Sequence, residues 1–341
     1  MKQNESRITR RSLVAGIGLA AGAGLAAAQT KSPAAPLWSK EYTAQKPAKT
    51  GQVSLALYRR RATAPKAGAK PLPVLFLVHG SSLSARTSFD VTMPDGTDYS
   101  LLNAFARMGF DVWTMDHENY GKSGQTDSNS DTANGVEDLK AGVELVVRET
   151  GQKKIHLFGE SSGAIRAGAY AMEHPERIDR LVLGAFTYKG DNSPTLADRA
   201  KRLDFYKTHN RRLRDREMIR SIFTRDKSGT TDPAVAEVMA DMELKFGDQV
   251  PTGTYLDMTS KLPLVDPAKV LAPVLLIRGE YDGIATMDDI GDFFRQLPNG
   301  DRQFVVVPAT AHSLIFGHNR KAFWHVVQAF LNMPATVAAT T

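Results

Sequence analysis

Five residues, Gly159-Glu160-Ser161-Ser162-Gly163, stand between an apolar run and a helical pattern. A serine centred between two glycines, at the joint of a strand and a helix, can be presented on a very tight turn clear of flanking side chains. The next residue would open a helix whose first N–H groups face developing negative charge. Ser161 is therefore the expected nucleophile. Ser162 is the rival, and it is not centred between the glycines. Serine attacks poorly at neutral pH unless a base, itself held by an acid, removes its proton. Where such a turn joins strand to helix, the order along the chain is serine, then acid, then histidine. Asp282, in Arg278-Gly279-Glu280-Tyr281-Asp282-Gly283, is the expected acid, with Glu280 as the alternative. His312, in Pro308-Ala309-Thr310-Ala311-His312-Ser313, is the expected base, and His318 is its near rival. His79-Gly80-Ser81-Ser82 closes an earlier apolar run. The backbone N–H groups of Ser81 and Ser162 are the expected pair for an oxyanion, and His79 itself reads as structural.

These residues need elements to hold them. Residues 74–78 form a continuous apolar run, as a strand buried on both faces does. Further strands are expected at 53–58, 110–115, 155–158, 178–186, 274–277 and 304–307. Helical spacing marks 101–108, 131–150, 164–174 and 319–331. Residues 29–50 read as an extended lead-in and 59–73 as a loop. Strands alternating with helices give an α/β fold with a mostly parallel central sheet and helices on both faces. One segment breaks the rhythm. Residues 188–265 show helical patterns at 196–208, 217–223 and 233–246 and no convincing strand. The expectation there is a helical cap insertion over the carboxyl edge of the sheet, where open α/β sheets bind ligands. The expected core is then 29–187 with 266–333, followed by a tail at 334–341.

The set of His79-Gly80, Asp116 with the Gly121-Lys122-Ser123-Gly124 loop, the Ser161 turn, Asp282 and His312 resembles a serine α/β-hydrolase with a helical cap. The resemblance spans about 53–331. It implies an α/β-hydrolase fold and an acyl-enzyme formed on a small-molecule substrate, with a carboxylic ester expected first. A C–C bond, a lactone or an amide acted on by the same triad is the alternative. Perhydrolase or lyase chemistry, and a non-catalytic ligand-binding protein on the same fold, also stay open. A serine at the turn argues against the haloalkane dehalogenase and epoxide hydrolase branches, which attack with aspartate. Asp282 is followed by Gly283-Ile284-Ala285-Thr286, without the proline many members carry there. No metal or cofactor is expected. The 341 residues include no cysteine, and the histidines lack H-E-x-x-H spacing.

Thr9-Arg10-Arg11-Ser12-Leu13-Val14 and the Ala/Gly/Leu run after it resemble a bacterial twin-arginine export signal ending at Ala26-Ala27-Ala28. Residues 1–28 are the expected signal peptide, with Sec-type export as the alternative. The expected location is periplasmic or secreted, with the twin-arginine machinery as a transient partner and no stable membrane span after cleavage. The formal charge of +6 falls to +3 once this stretch is removed. Nucleic acid is not an expected partner. Residues 199–220 hold nine basic side chains against three acidic ones, expected to form a solvated helical face rather than an anion-attracting one. Met218, Met239, Met242 and Met258 are read as packing of the cap, with none assigned to substrate.

Overall fold

The computed structural model describes residues 35–48 and 51–334. The expected export signal, and all of the C-terminal tail after Pro334, lie outside the described residues.

The chain enters through two long antiparallel strands, β1 (Trp38–Pro47) and β2 (Gln52–Arg61), paired from Trp38 with Arg61 to Pro47 with Gln52. The lead-in is therefore a ten-residue edge strand, which its Lys- and Pro-containing sequence does not reveal. Its partner β2 runs on through the expected loop to Arg61. Arg59 is buried there because both guanidinium nitrogens Nε and Nη2 donate to Asp111, at 2.8 and 2.6 Å. A paired, buried arginine looks like a loop residue to a hydropathy pattern.

Then come β3 (Val74–Val78), α1 (Ala85–Phe89), α2 (Leu101–Arg107), β4 (Asp111–Met115), α3 (Thr132–Thr150), β5 (Ile155–Glu160), α4 (Ser162–Glu173) and β6 (Ile178–Gly184). The eight-stranded sheet has the order β1-β2-β4-β3-β5-β6-β9-β10. Here β9 is Val274–Gly279 and β10 is Arg302–Val307, and every pair from β4 onward is parallel. This is the mostly parallel sheet expected. Side chains alternate across it. Val74, Phe76 and Val78 enter one core with α3 and α4, while Leu75 and Leu77 enter the other with α2. After β3 the chain goes to β4 on one side and returns to β5 on the other. The strand ends of β3 and β5 thus flank the reversal of strand order, the place where such sheets bind ligands.

Between β6 and β9 lie α5 (Pro194–Ala200), α6 (Leu203–Thr208), β7 (Arg211–Leu213), α7 (Arg216–Thr224), α8 (Pro233–Glu243), β8 (Gln249–Pro251) and α9 (Gly253–Ser260). The expected single helix over 196–208 is broken by a turn at Lys201 and Arg202. The strands β7 and β8 pair antiparallel, which corrects the expectation of no strand. Three residues are too few for an alternation to be read. A further helix, α10 (Met287–Gln296), precedes β10, and α11 (Arg320–Leu331) closes the fold.

Three buried carboxylates tie these parts together by collecting backbone N–H groups. Asp116 accepts from Ala85 at 2.8 Å and Lys122 at 2.9 Å, and from the Tyr58 hydroxyl at 2.8 Å. Asp289 accepts from Tyr188 and Lys189, both at 2.8 Å. Glu243 of α8 accepts the Ser84 N–H at 2.9 Å and the Ser84 hydroxyl at 2.7 Å, and pairs with Arg214. It thereby fastens the insert to the loop after β3. Glu243 and Arg214 are both buried. Glu243→Ala should cost about 3–5 kcal/mol, because it leaves a buried guanidinium without its carboxylate. A lowered urea midpoint would show the loss; an unchanged midpoint would contradict the clamp.

Candidate active site

Ser161 is the single residue between the end of β5 and the start of α4, and its backbone sits at φ 58° and ψ −127°. A side chain at positive φ costs on the order of 1–3 kcal/mol unless its surroundings enforce it. They do so here. The Ser161 N–H donates to Gly184 O, and its carbonyl accepts from Ala164, both at 2.9 Å. A Cβ on Gly159 would stand 2.3 Å from Gly163 O, and one on Gly163 would stand 2.3 Å from Val78 O. Both glycines are therefore required by backbone meeting backbone.

His312 follows β10 and Asp282 follows β9. The structure brings them to Ser161: His312 Nε2 lies 2.9 Å from Ser161 Oγ, and His312 Nδ1 lies 2.9 Å from Asp282 Oδ1. A carboxylate can only accept, so Nδ1 carries the proton and Nε2 is left to accept from the serine hydroxyl. Asp282 Oδ1 also accepts from the N–H groups of Ile284 and Ala285, at 2.9 and 3.0 Å. Those donors come from the stretch that lacks the proline. Burial pushes the Asp282 carboxyl up, but His312 and these N–H groups outweigh it and hold it below the usual carboxylate value. Gly279 lets the two loops meet, since a Cβ there would stand 2.3 Å from Ala311 O. The rivals lie elsewhere. Glu280 accepts from the Ala309 N–H at 2.8 Å, His318 is exposed, and the Ser162 hydroxyl is sealed in the interior.

The loop after β3 is held from behind. Nδ1 of His79 lies 2.7 Å from Gly80 O, and Nε2 lies 3.1 Å from the backbone nitrogen of His117. The second contact makes Nε2 the acceptor, so Nδ1–H donates to Gly80 O. A trans peptide then points the Ser81 N–H the opposite way from that carbonyl. Burial first, then the nearby His117 and Arg166, keep His79 well below the usual histidine value, hence neutral. The Ser81 carbonyl accepts from the Tyr120 hydroxyl at 3.1 Å and from Arg212 at 3.4 Å. Ser162 is the first residue of α4, so its N–H has no acceptor within the helix.

A crevice of about 550 Å³, counting its open mouth, leads to Ser161 and His312. Its floor is the loop from Gly80 to Leu83 with Glu160, and the insert supplies Arg199, Phe223, Arg225 and Met239 opposite. Sequence reasoning missed several of these. Met239 reaches the crevice as well as the core. The basic run is only in part a solvated face: Lys201, Arg202, Lys207 and Arg220 are exposed, whereas Arg212 and Arg214 are buried and Arg199 lines the crevice. A charge count along the chain carries no signal that separates these fates. Glu160, beside the nucleophile, has one carboxylate oxygen sealed without a partner. Burial first, then Asp282, push its carboxyl up to about 8. Asp226 of the insert brings a second carboxylate within 4.8 Å of Asp282 and His312. Both nitrogens of His312 are already used by Ser161 and Asp282, so this trio has no free imidazole for a cation.

Among the solved structures, a thermophilic esterase from Thermogutta terrifontis is similar, with a TM-score of 0.61 and 20% identity over 86% of this chain and 98% of its own. So is the 2-hydroxy-6-oxo-6-phenylhexa-2,4-dienoate hydrolase of Rhodococcus sp. strain RHA1, with a TM-score of 0.60 and 20% identity over 87% and 100%. At such identity they show the shared fold. A 2-hydroxy-6-oxononadienedioate/2-hydroxy-6-oxononatrienedioate hydrolase from Paraburkholderia phymatum is 36% identical over 113 residues, 32% of this chain. The match spans only 34% of that relative. The model of the family described as serine aminopeptidase, S33, matches residues 96–319, more than half of the chain. With a mostly parallel sheet, a serine turn after β5 and that match together, the chain belongs to this family of α/β-hydrolases.

Proposed function

We propose that this hydrolase cleaves a carboxylic ester of a small organic molecule through an acyl-enzyme on Ser161, after export from the cytoplasm. The observation that carries the reading is the chain of two 2.9 Å contacts from Ser161 through His312 to Asp282, starting on a serine whose backbone is held at positive φ. In the first step Ser161 Oγ attacks the ester carbonyl and His312 Nε2 takes its proton. Asp282 stabilises the imidazolium so formed and fixes the ring. The N–H groups of Ser81 and Ser162 receive the negative oxygen. His312 then protonates the departing alkoxide, and the acyl group stays on Ser161. Water repeats the sequence in the second step and frees the acid. His79 acts at a distance, by turning the Gly80–Ser81 peptide.

A second reading keeps the triad and changes the bond. The 113-residue likeness to a 2-hydroxy-6-oxononadienedioate hydrolase supports water-driven cleavage next to a ketone. The two separate by kcat/KM on p-nitrophenyl butyrate and on a vinylogous diketone. The ester reading fails if only the diketone turns over.

Ser161→Ala should lower kcat on the preferred substrate by about 10⁴-fold or more, and Asp282→Asn by about 10⁴-fold. Full activity of either variant would contradict the assigned roles. Export is supported by the Arg10-Arg11 pair, and no helix among the described residues is long and apolar enough to cross a membrane. Protein recovered from the periplasm of a bacterial host should begin at Gln29. Replacing Arg10 and Arg11 with lysine should leave it in the cytoplasm; export unaffected by that change would point to the Sec route.

Glu160 yields a pH prediction. An unfolded chain releases this proton near 4.5, whereas the fold keeps it to about 8. The fold therefore loses stability as pH rises through that window and does not regain it above. Glu160→Gln removes the dependence. Its melting temperature should exceed that of the parent by more at about pH 9 than at about pH 4. An equal difference at both would show that Glu160 ionises normally.

A further inference from the structure

Arg199 sits half-buried on α5 and lines the crevice that leads to Ser161. Among the described residues it makes no ion pair and no side-chain hydrogen bond. Its guanidinium instead lies 4.1 Å from the centre of the Tyr255 ring. Arg212 lies 4.0 Å from the same ring, and among the described residues the only side-chain oxygen it donates to is the Ser82 hydroxyl, at 2.9 Å. Its Nε is buried without a partner. Arg225 lines the crevice too, and among the described residues its one acid is Asp226, at 3.4 Å. Among the described residues, Arg199 and Arg212 therefore pair with no carboxylate, and Arg225 pairs with Asp226.

Partly buried charge without a partner is costly, and a guanidinium is well suited to pair with a carboxylate in two parallel hydrogen bonds. The tyrosine reports the same field. Burial pushes the Tyr255 phenol up, yet Arg199 and Arg212 pull it down, to about 7. Glu160, the one carboxyl lining the crevice among the described residues, keeps its proton to about 8 and so does not supply the missing charge at neutral pH. The remaining wall is apolar, with Leu83, Ile222, Phe223, Met239 and Phe316.

We propose that the crevice is a subsite for a carboxylate borne by the acyl chain of the substrate, with Arg199 as its counter-ion. Ser82 also lines the crevice, and its hydroxyl, which accepts from Arg212, keeps its own proton to donate beside it. The substrate class is then a half-ester of an aliphatic dicarboxylic acid, whose methylene chain lies along the apolar wall. A planar guanidinium suits a carboxylate fork. This rests on the serine-hydrolase reading for the position of the ester, but not for the binding of the anion.

The experiment has two arms. In the first, kcat/KM is compared for mono-p-nitrophenyl adipate and p-nitrophenyl hexanoate, which differ in the terminal carboxylate. The parent protein should prefer the adipate, and Arg199→Gln should lower that preference by about tenfold or more. Arg199→Lys should retain part of it. In the second, Ser161→Ala protein is titrated calorimetrically with monomethyl adipate, dimethyl adipate and butyl phosphate. Binding of the monoanion, absent with the diester and lost when Arg199→Gln is added, supports the subsite even if neither nitrophenyl ester is hydrolysed. In that event only the ester reading falls. No binding of monomethyl adipate, equal binding of the diester, or tighter binding of butyl phosphate would overturn the carboxylate subsite. So would an adipate preference that survives Arg199→Gln.

Discussion

A serine held at φ 58° between two glycines is the constraint on which the rest of this structure depends. Ser161 cannot relax, because its N–H is bonded to β6 and its carbonyl to the first turn of α4. The neighbouring glycines allow α4 to press against the end of β3, so close that a methyl group on Gly163 would meet Val78 O. That contact places the loop after β3 beside the serine. The same compactness is repeated at β9 and β10, where Gly279 lets the loops carrying Asp282 and His312 touch. Three strand ends of one sheet thus converge at a single point, and the 2.9 Å contacts follow from their register.

Electrostatics fixes what the sheet leaves loose. Asp116, Glu243 and Asp289 each sit buried and take N–H groups from loops up to 159 residues away in sequence. A buried carboxylate that has gathered several donors is costly to remove. Glu243 has a second consequence. Through Ser84 and Arg214 it links the insert to the loop that carries Ser81, so the wall of the crevice and the proposed oxyanion site are set by one group. The neighbouring Tyr120 and Arg212 hold the Ser81 carbonyl, and His79 holds that of Gly80.

The sheet and the proposed triad were legible because their determinants are local. Gly159, Ser161 and Gly163 encode one turn. Residues 74–78 encode a strand buried on both sides, and His312 and Asp282 each follow an apolar run. What escaped were contacts made by charged groups across the sequence. Arg59 reads as loop until Asp111 is opposite it. The edge strand carries Lys46, buried against Glu118 and Asp138, in a stretch with no apolar pattern of its own. Within one basic run Arg214 became a clamp, Arg220 a surface pair and Arg199 a crevice wall, and only the fold distinguishes them. Asp226 is likewise invisible until the insert folds it beside Gly283.

In the proposed mechanism His312 makes Ser161 nucleophilic. Reaction with a neutral fluorophosphonate, followed by intact-mass measurement and peptide mapping, tests it without knowledge of the substrate. One adduct per chain is expected, on Ser161, and none when His312 is replaced by alanine. An adduct on another residue, no adduct at all, or undiminished labelling of the His312→Ala variant would contradict it.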